Sequence, residues 1–399
     1  MDKKLKITLM LLGVFCASNI SAQSVNLSEL IEKVALNNGQ YKAAQIRNNA
    51  ELQSMRSENN LSDPEIGISR SWGEGEAGNK FEMSLSQSFD WPGAYSARKR
   101  AADAQAVALE NLSRNELFAL KLDIKLAMID IINSRKKLEL YSSAVHEIDS
   151  LVAIVERDVA KKDVSVLDGN KLRIERIGLA REQRNAQLDF DAACIRLAEL
   201  NNGNTGLPEI ISQLTDYPDN YLLPDLAVYL DRVKSNNPVL KYQHSLQDAL
   251  LAKKEAVKKE RFPGFNVGLT REVEEGDKFN GFSVSMTLPF FSNRGKSKAV
   301  QYEIEASQIE TELQNVTADS EIMASHAKAS QLLSQINEYG EILNGDDNFR
   351  LLRKAFEARH ISVLDYIADF SYFTAAKSDY LDLIYQYQTE IAKLDRFND

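Results

Sequence analysis

The sequence predicts a mainly α-helical protein with a membrane β-barrel portion, and three observations lead to this fold class. The chain is a tandem repeat. Residues 93–207 and 290–399 contain no proline, which permits very long helices because proline breaks helix interiors. Each repeat also carries a short stretch in which apolar and polar residues alternate, as in strands with one apolar face.

The amino-acid composition argues against several other classes of protein. The 399 residues are 44% hydrophobic and 27% charged, which is ordinary for a folded protein and argues against wholesale disorder or a bundle of apolar membrane helices. The formal net charge of −10 argues against nucleic acid as the main partner, since binding phosphates requires a basic face.

Residues 1–22 have the layout of a secretory signal peptide, with three lysines at the start, an apolar middle and a small, polar end. We expect cleavage after Ala22. The apolar run is shorter than the ~20 residues that a membrane anchor needs. Cys16 lacks the pattern that precedes a lipidated cysteine. Cleavage would leave Cys194 as the single cysteine and exclude an internal disulfide.

The repeats are recognised by motifs that recur about 200 positions apart. Residues 32–38 align with residues 231–237, and the Ser-Val-Leu-Asp segment at 165–168 recurs at 362–365. We therefore divide the chain into a first repeat, a connector rich in Asn, Gly and Pro, and a second repeat, with these bounds: 24–203, 204–224 and 225–399.

Each repeat should contain a short helix, a β-hairpin, a long helix and a return helix. For the first repeat these are 27–60, 64–91, 94–160 and 165–200, and for the second 226–260, 263–289, 291–358 and 362–397. A helix over 94–160 would be ~100 Å long. Its apolar residues recur at steps of three and four, which is typical of a coiled-coil seam, and include Ile124, Ile131, Leu138 and Val145.

The alternating strands predict a surface that contacts lipid, because strands of this length with one apolar face are typical of outer-membrane barrels. An ordinary sheet packed on the helices is the alternative. The expected lipid-facing residues are Ile66, Ile68, Met83, Leu85, Val267, Leu269, Val284 and Met286, with Trp72 and Trp91 as interfacial aromatic residues. Four strands cannot enclose a barrel and open edges are not tolerated in hydrocarbon, so the chain should self-associate; three copies would supply twelve strands.

Together these motifs resemble the TolC family of outer-membrane factors, the exit ducts of tripartite efflux pumps and of type I secretion. Residues 355–367 (AFEARHISVLDYI) are similar to the family's tip segment, and residues 86–93 (SQSFDWPG) to its strand-to-helix junction. The likeness covers essentially the whole mature chain. Two departures stand out. Lys161-Lys162 and Arg359-His360 occupy the place of the tip glycine, and the lipidation pattern of many members is absent.

The resemblance implies a homotrimer in the outer membrane of a Gram-negative bacterium, with a twelve-stranded β-barrel above an α-helical barrel that extends into the periplasm. It implies three kinds of partner: a periplasmic adaptor (membrane fusion) protein, an inner-membrane RND-type or ABC-type pump, and outer-membrane lipid. The expected function is passive export of small molecules, with type I secretion or heavy-metal cation efflux as alternatives. No cofactor is expected.

The turns between the long helices predict a gate. In a trimer they would meet at the periplasmic end, where Asp168 and Asp365 would form rings that attract cations. Neighbouring basic residues could bridge subunits and hold the tip shut. The full candidate set is Ser165, Asp168, Ser362, Asp365, Lys161, Lys162, Arg359 and His360. The alternative is that both aspartates cap the returning helices.

Two other classes of protein account less well for the sequence. An enzyme is not expected, because the four histidines lack metal-ligand spacing and the chain has no recognisable base–nucleophile set. A soluble periplasmic coiled-coil adaptor would explain the signal peptide and the helices. It would not explain a strand pair at the same point of each repeat.

Overall fold

A computed structural model describes residues 27–73, 78–161, 164–203, 207–217, 223–291, 294–343 and 348–397. The predicted signal peptide, residues 1–22, lies outside this part of the chain. Within it, no helix has both the length and the apolar character that crossing a membrane requires.

The first repeat folds into two short helices, a hairpin and two long helices. Its elements are α1 (Leu27–Asn37), α2 (Gly39–Ser57), β1 (Glu65–Trp72), β2 (Asn79–Phe89), α3 (Pro92–Ala160) and α4 (Val166–Leu200). With 69 residues, α3 spans ~100 Å. The single helix expected over 27–60 is wrong, because the chain breaks at Asn38. The Asn38 side chain caps α2 by accepting from the Tyr41 N–H at 2.8 Å, and it donates to the Leu200 carbonyl, also at 2.8 Å.

The second repeat has the same order with one further helix. A short helix, α5 (Leu207–Gln213), precedes it, and its elements are α6 (Leu226–Asn236), α7 (Pro238–Lys259), β3 (Gly264–Glu274), β4 (Asp277–Thr287), α8 (Lys296–Leu343), α9 (Asn348–Glu357) and α10 (Val363–Leu394). The single helix expected over 226–260 is also wrong, since Asn237 caps a new helix that begins at Pro238. The long helix starts at Lys296 rather than at 291, because the chain first turns through Gly295, whose φ is 90°. Residues 344–347, between α8 and α9, lie outside the described residues.

The long helices lie side by side in a layer four helices wide. Next to the sheet the order of contacts is α2, α3, α7 and α8, and farther away it is α4, α3, α10 and α8. Two helices from the ends of the first repeat, α2 and α4, therefore form one edge of the layer, and α8 forms the other. The sheet has the matching order, with β1 and β4 at its edges.

The two largest apolar clusters lie within the helical layer. The larger lies where α1 and α6 pack on α3, α8 and α10, and the smaller lies near the turns between the long helices. Of the seam predicted on α3, Ile124, Ile131 and Ile148 are fully buried, whereas Leu138 and Val145 are half-buried. Ile124 and Ile131 belong to the larger cluster and Ile148 to the smaller one, which Val145 also contacts, whereas Leu138 belongs to neither.

Candidate functional site: a two-faced sheet and the helix turns far from it

The four strands form one antiparallel sheet in sequence order. Each repeat contributes a hairpin, and β2 pairs with β3 to join them. Strands β2, β3 and β4 have 11 residues each. At ~3.4 Å per residue and a tilt of ~40°, such strands rise ~28 Å, which matches the ~25 Å apolar band of an outer-membrane barrel.

One face of the sheet is apolar and exposed. The register places Ile66 opposite Leu85, and Leu85 opposite Leu269, so that large apolar side chains form rows across the strands. All eight residues predicted to face lipid are on this face and are exposed. Polar residues interrupt it only toward the strand ends: Arg70, Arg271, Lys278 and Asn280 near the hairpin turns, and Gln87 near the helices. Among the described residues no helix covers this face, which does not agree with the alternative of a sheet packed on the helices.

The opposite face is polar and, in its part nearer the helices, is built mostly from small residues. A Cβ atom on Gly67 would lie 2.6 Å from the Ser84 Oγ, and one on Gly268 would lie 2.7 Å from the Ser283 Oγ. A sheet that curves toward its polar side needs small residues on that side and has room for large side chains on the other. The crowded polar face and the large, exposed apolar side chains meet both requirements. Sequence reasoning recognised the alternation but missed this difference in size, although the glycines at alternate positions signal it.

The two tryptophans lie at opposite ends of the sheet. Trp72 is the last residue of β1, and the guanidinium of Arg70 lies 6.0 Å from the centre of its ring. Trp91 was expected to continue the second strand, which is wrong: β2 ends at Phe89, and Trp91 precedes the first residue of α3. Its ring stacks on Phe262 at 5.4 Å and approaches Phe265 at 6.0 Å. Trp91 therefore sits where the apolar face meets the helices.

Hydrogen bonds cross the helical layer at one level. Asn48 on α2 donates to the hydroxyl of Ser113 on α3 at 3.0 Å, and Asn111 on α3 donates to the hydroxyl of Ser245 on α7 at 3.1 Å. Gln247 on α7 then donates to the hydroxyl of Thr311 on α8 at 2.8 Å. These three contacts fix the relative heights of the four helices.

Both edges of the layer carry exposed apolar residues. On α8 they recur at steps typical of a helix–helix seam: Tyr302, Ile309, Leu313, Val316 and Met323. On the other edge they are Ile46 on α2 and Ile174, Ile177, Leu188 and Ile195 on α4. The strands on the same two sides, β1 and β4, have no neighbouring strand within the described chain.

At the far turn of the second repeat, Asp365 and Ser362 form a reciprocal cap on α10. The Asp365 carboxylate accepts from the Ser362 backbone N–H at 3.2 Å and from its hydroxyl at 2.7 Å, and the Ser362 oxygen accepts from the Asp365 N–H at 3.2 Å. These hydrogen bonds lower the pKa of Asp365 below its ordinary value. The contacts of Asp365 are therefore those of a helix cap, which was the alternative to a gate.

The turn of the first repeat differs. Ser165 caps α4 by accepting from the Leu167 N–H at 3.2 Å, but the Asp168 carboxylate instead lies 3.6 Å from the Lys171 ammonium. Lys161 is exposed at the end of α3, and Lys162 lies outside the described residues. The two copies of Ser-Val-Leu-Asp therefore share a serine cap, while their aspartates make different contacts.

The missing tip glycine has a structural consequence in the second repeat. Arg359 has a φ of 58°, the left-handed conformation that glycine adopts most easily at a helix end. The N–H of Arg359 donates to the Phe356 carbonyl and that of His360 to the Ala355 carbonyl, both at 2.9 Å. The chain thus keeps the helix-ending geometry and places an arginine where glycine is favoured.

A contact between the two repeats near the turns was not foreseen. Glu147 on α3 accepts from the hydroxyl of Tyr366 at 3.2 Å and pairs with Arg353 at 3.1 Å. Burial, together with the Glu147 carboxylate, raises the pKa of Tyr366. Glu147 lies more than two hundred positions from both Arg353 and Tyr366 along the chain, and no local pattern could have joined it to them.

The described residues include no cluster of three or more His, Cys, Asp or Glu side chains placed to hold a metal ion. His326 has an individual structural contact, with its Nε2 2.9 Å from the Pro224 carbonyl oxygen.

No protein-family model matches this chain, and no curated protein matches it in sequence. Its structure is similar to a membrane protein from Pseudomonas aeruginosa, at 16% identity and a TM-score of 0.73, over 93% of this chain and 89% of that one. It is also similar to the outer-membrane channel CmeC of Campylobacter jejuni, at 14% identity and a TM-score of 0.72, over 94% and 85%. For the outer-membrane protein VceC of Vibrio cholerae the values are 13%, 0.71, 93% and 95%.

These likenesses define the class of structure: the chain has the fold of outer-membrane channel proteins, with a four-stranded sheet joined to long helical hairpins. The resemblance to the TolC family that its motifs indicated is thereby confirmed at the level of the fold.

Proposed function

We propose that this protein is the outer-membrane exit duct of a tripartite efflux system, a passive channel that exports small molecules. One observation carries the proposal. The sheet presents its large apolar residues outward on a face that nothing in the described chain covers, and its small, polar residues on the crowded face. This is the arrangement of a barrel wall with lipid outside and water inside. Residues such as Leu85 and Val284 would then contact outer-membrane lipid.

The duct would be a homotrimer. Both edges of the sheet are open and both edges of the helical layer carry apolar stripes, so each copy offers two different surfaces at corresponding heights. Surfaces of this kind join head to tail, and they form a ring when the rotation between neighbouring copies closes. Three copies supply a barrel of twelve strands above a tunnel of helices.

Cysteine cross-linking tests the ring directly. The hydrogen bonds across the layer place Ile46 on α2 at about the height of Val316 on α8, on opposite edges. A chain with Ile46→Cys and Val316→Cys, in a background without Cys194, should give dimers and trimers on oxidation. A matched pair of Ile46→Cys and Tyr302→Cys should not, because Tyr302 lies about 20 Å farther along α8. Products larger than trimers would contradict three-fold closure.

The soluble periplasmic adaptor remains the competing class, and membrane fractionation separates the two. A duct should be found in the outer membrane and should migrate as a heat-modifiable oligomer on unboiled gels. A monomer released with the periplasmic fraction would exclude the duct.

The remaining parts of the proposal concern partners and cargo. The helical end would contact a periplasmic adaptor, and through it an RND-type or ABC-type inner-membrane pump. Selection of the cargo would belong to the pump, so that type I secretion and heavy-metal cation efflux stay as alternatives. Co-purification of the tagged duct with its adaptor and pump would decide between them.

A further inference from the structure

Basic residues are concentrated in the segments that join the sheet to the long helices. Residues 93–100, 253–262 and 290–300 contain eleven lysines and arginines, and Glu255 and Glu260 are their only acidic residues. The whole chain has a net charge of −10, so this local excess of positive charge runs against its composition.

Packing brings the three segments to one level of the molecule. Ala97 and Ala101 on α3 pack against Ala256 on α7, and Val257 on α7 packs against Val300 on α8. An ion pair between Lys296 and Glu260, at 3.4 Å, also joins the start of α8 to the end of α7. The cations of the three segments therefore form one band beneath the sheet, which we call the basic band.

The basic band reaches the apolar face of the sheet. The Lys259 ammonium lies 5.5 Å from the centre of the Phe262 ring, and Phe262 stacks on Trp91. Trp91 in turn approaches Phe265, which belongs to a row of the apolar face. Phe290 and Phe291 are exposed at the same level. Aromatic rings and cations therefore lie next to each other, directly below the apolar residues of the sheet.

Several cations of the band are free to bind a partner. Ion pairs occupy Arg98 with Asp90 and Lys258 with Glu255. In the described part of the chain, by contrast, no carboxylate lies within ion-pair distance of four exposed residues, which are Lys99, Arg100, Arg261 and Arg294.

We propose that the basic band binds the headgroups of anionic phospholipids in the membrane leaflet nearest the helices. Aromatic residues favour the level of the headgroups, and lysine and arginine next to them attract negatively charged lipids. The planar guanidinium of arginine also matches a phosphate with two parallel hydrogen bonds. The proposal rests on the proposed function, because the sheet must sit in a bilayer for the band to meet headgroups. A soluble acidic partner fits less well, since it would have to lie against the apolar face.

Native mass spectrometry of the full-length protein tests the proposal. The protein is purified in detergent with equal amounts of phosphatidylglycerol and phosphatidylcholine, and the lipids that it retains are counted. We expect the wild type to prefer phosphatidylglycerol at low salt. The triple variant Lys99→Gln, Arg261→Gln and Arg294→Gln should lose roughly tenfold in that preference.

The matched control removes the same charge elsewhere, through changes at three exposed lysines of the helical part: Lys234→Gln, Lys241→Gln and Lys354→Gln. It should keep the preference. Equal retention of both lipids by the wild type, or an equal loss in both triple variants, would overturn the proposal. Displacement of the lipid by free glycerol phosphate would also overturn it, since a small-anion site would then account for the binding.

Flotation with phosphatidylcholine vesicles separates this proposal from the function on which it rests. If the wild type inserts into the vesicles but shows no preference for phosphatidylglycerol, the duct stands and the lipid surface is wrong. If it does not insert, the proposed function itself fails.

Discussion

The carboxylate of Asp365 is held by Ser362, from which it accepts two hydrogen bonds at 2.7 and 3.2 Å. This contact fixes the turn at the start of α10, because the serine oxygen returns a hydrogen bond to the Asp365 N–H. The sequence left open whether the aspartates at the two turns cap helices or form a gate. The structure gives Asp365 a cap, whereas Asp168 makes no corresponding contact with Ser165 among the described hydrogen bonds.

The first prediction concerns pH. The pKa of Asp365 is lowered in the folded protein, so the cap should stabilise α10 fully above the ordinary aspartate pKa of about 4. Its contribution should be lost as the pH falls through the lowered value. Amide hydrogen exchange at the start of α10, corrected for intrinsic exchange rates, should show this loss. Asp365→Asn should remove that pH dependence. A pH dependence that persists in the variant would have to come from another group.

The second prediction concerns ion selectivity. We propose that Asp365, which is exposed and contacts only the neutral Ser362, contributes more to a ring of negative charge at the periplasmic opening than Asp168, whose charge is offset by the Lys171 ammonium at 3.6 Å. In planar bilayers Asp365→Asn should lower the preference for cations more than Asp168→Asn does. If neither variant changes selectivity, both aspartates are structural and the gate prediction is wrong.

The third prediction tests the orientation of the sheet. Leu85 is exposed on the apolar face, and Ser86 lies next to Gly268 on the crowded, polar face. Leu85→Arg should destabilise the assembled trimer by about 2–4 kcal/mol if residue 85 lies near the bilayer midplane. Ser86→Arg should cost less, because its side chain would enter the water-filled interior. Trimer yield on unboiled gels measures both. Equal trimer yields from the two variants would contradict the proposed orientation of the sheet.

The sequence predicted the features that follow from local patterns, and it missed those that depend on contacts between residues far apart in the chain. Strand alternation and the proline-free stretches are local patterns, and they predicted the sheet and the long helices. The breaks at Asn38 and Asn237 were missed, although each asparagine caps the helix that follows it; contacts with residues far along the chain accompany both breaks. Asn38 reaches the Leu200 carbonyl, and Asn236, beside the second break, reaches the Phe397 carbonyl at 3.2 Å. The pairing of Glu147 with Tyr366 was missed for the same reason.

The fourth prediction concerns the seam on α3. The heptad pattern treated Leu138 as equivalent to Ile131, but Ile131 is fully buried and Leu138 is half-buried, since packing around α3 varies along its length. Ile131→Ala should cost about 2–5 kcal/mol in unfolding free energy, as expected for a fully buried aliphatic residue. Lys136→Ala, which removes only an exposed ion pair with Asp216, should cost less than about 1 kcal/mol. Comparable losses from both variants in denaturant unfolding would contradict the register of the seam.

The last prediction concerns the turn where an arginine replaces the expected glycine. Arg359 has a φ of 58°, and a left-handed conformation costs a residue with a Cβ about 1–2 kcal/mol. Arg359→Gly should therefore stabilise the end of α9 by about 1 kcal/mol, less a part lost to the greater freedom of glycine in the unfolded chain. Arg359→Ala keeps the strain and should change little, which separates the backbone effect from loss of the charge. Ala355→Gly, inside the same helix, should destabilise it by about 1 kcal/mol. Amide hydrogen exchange over residues 352–362 measures all three variants, and slower exchange in Arg359→Ala than in Arg359→Gly would show that the side chain, not the backbone, governs this turn.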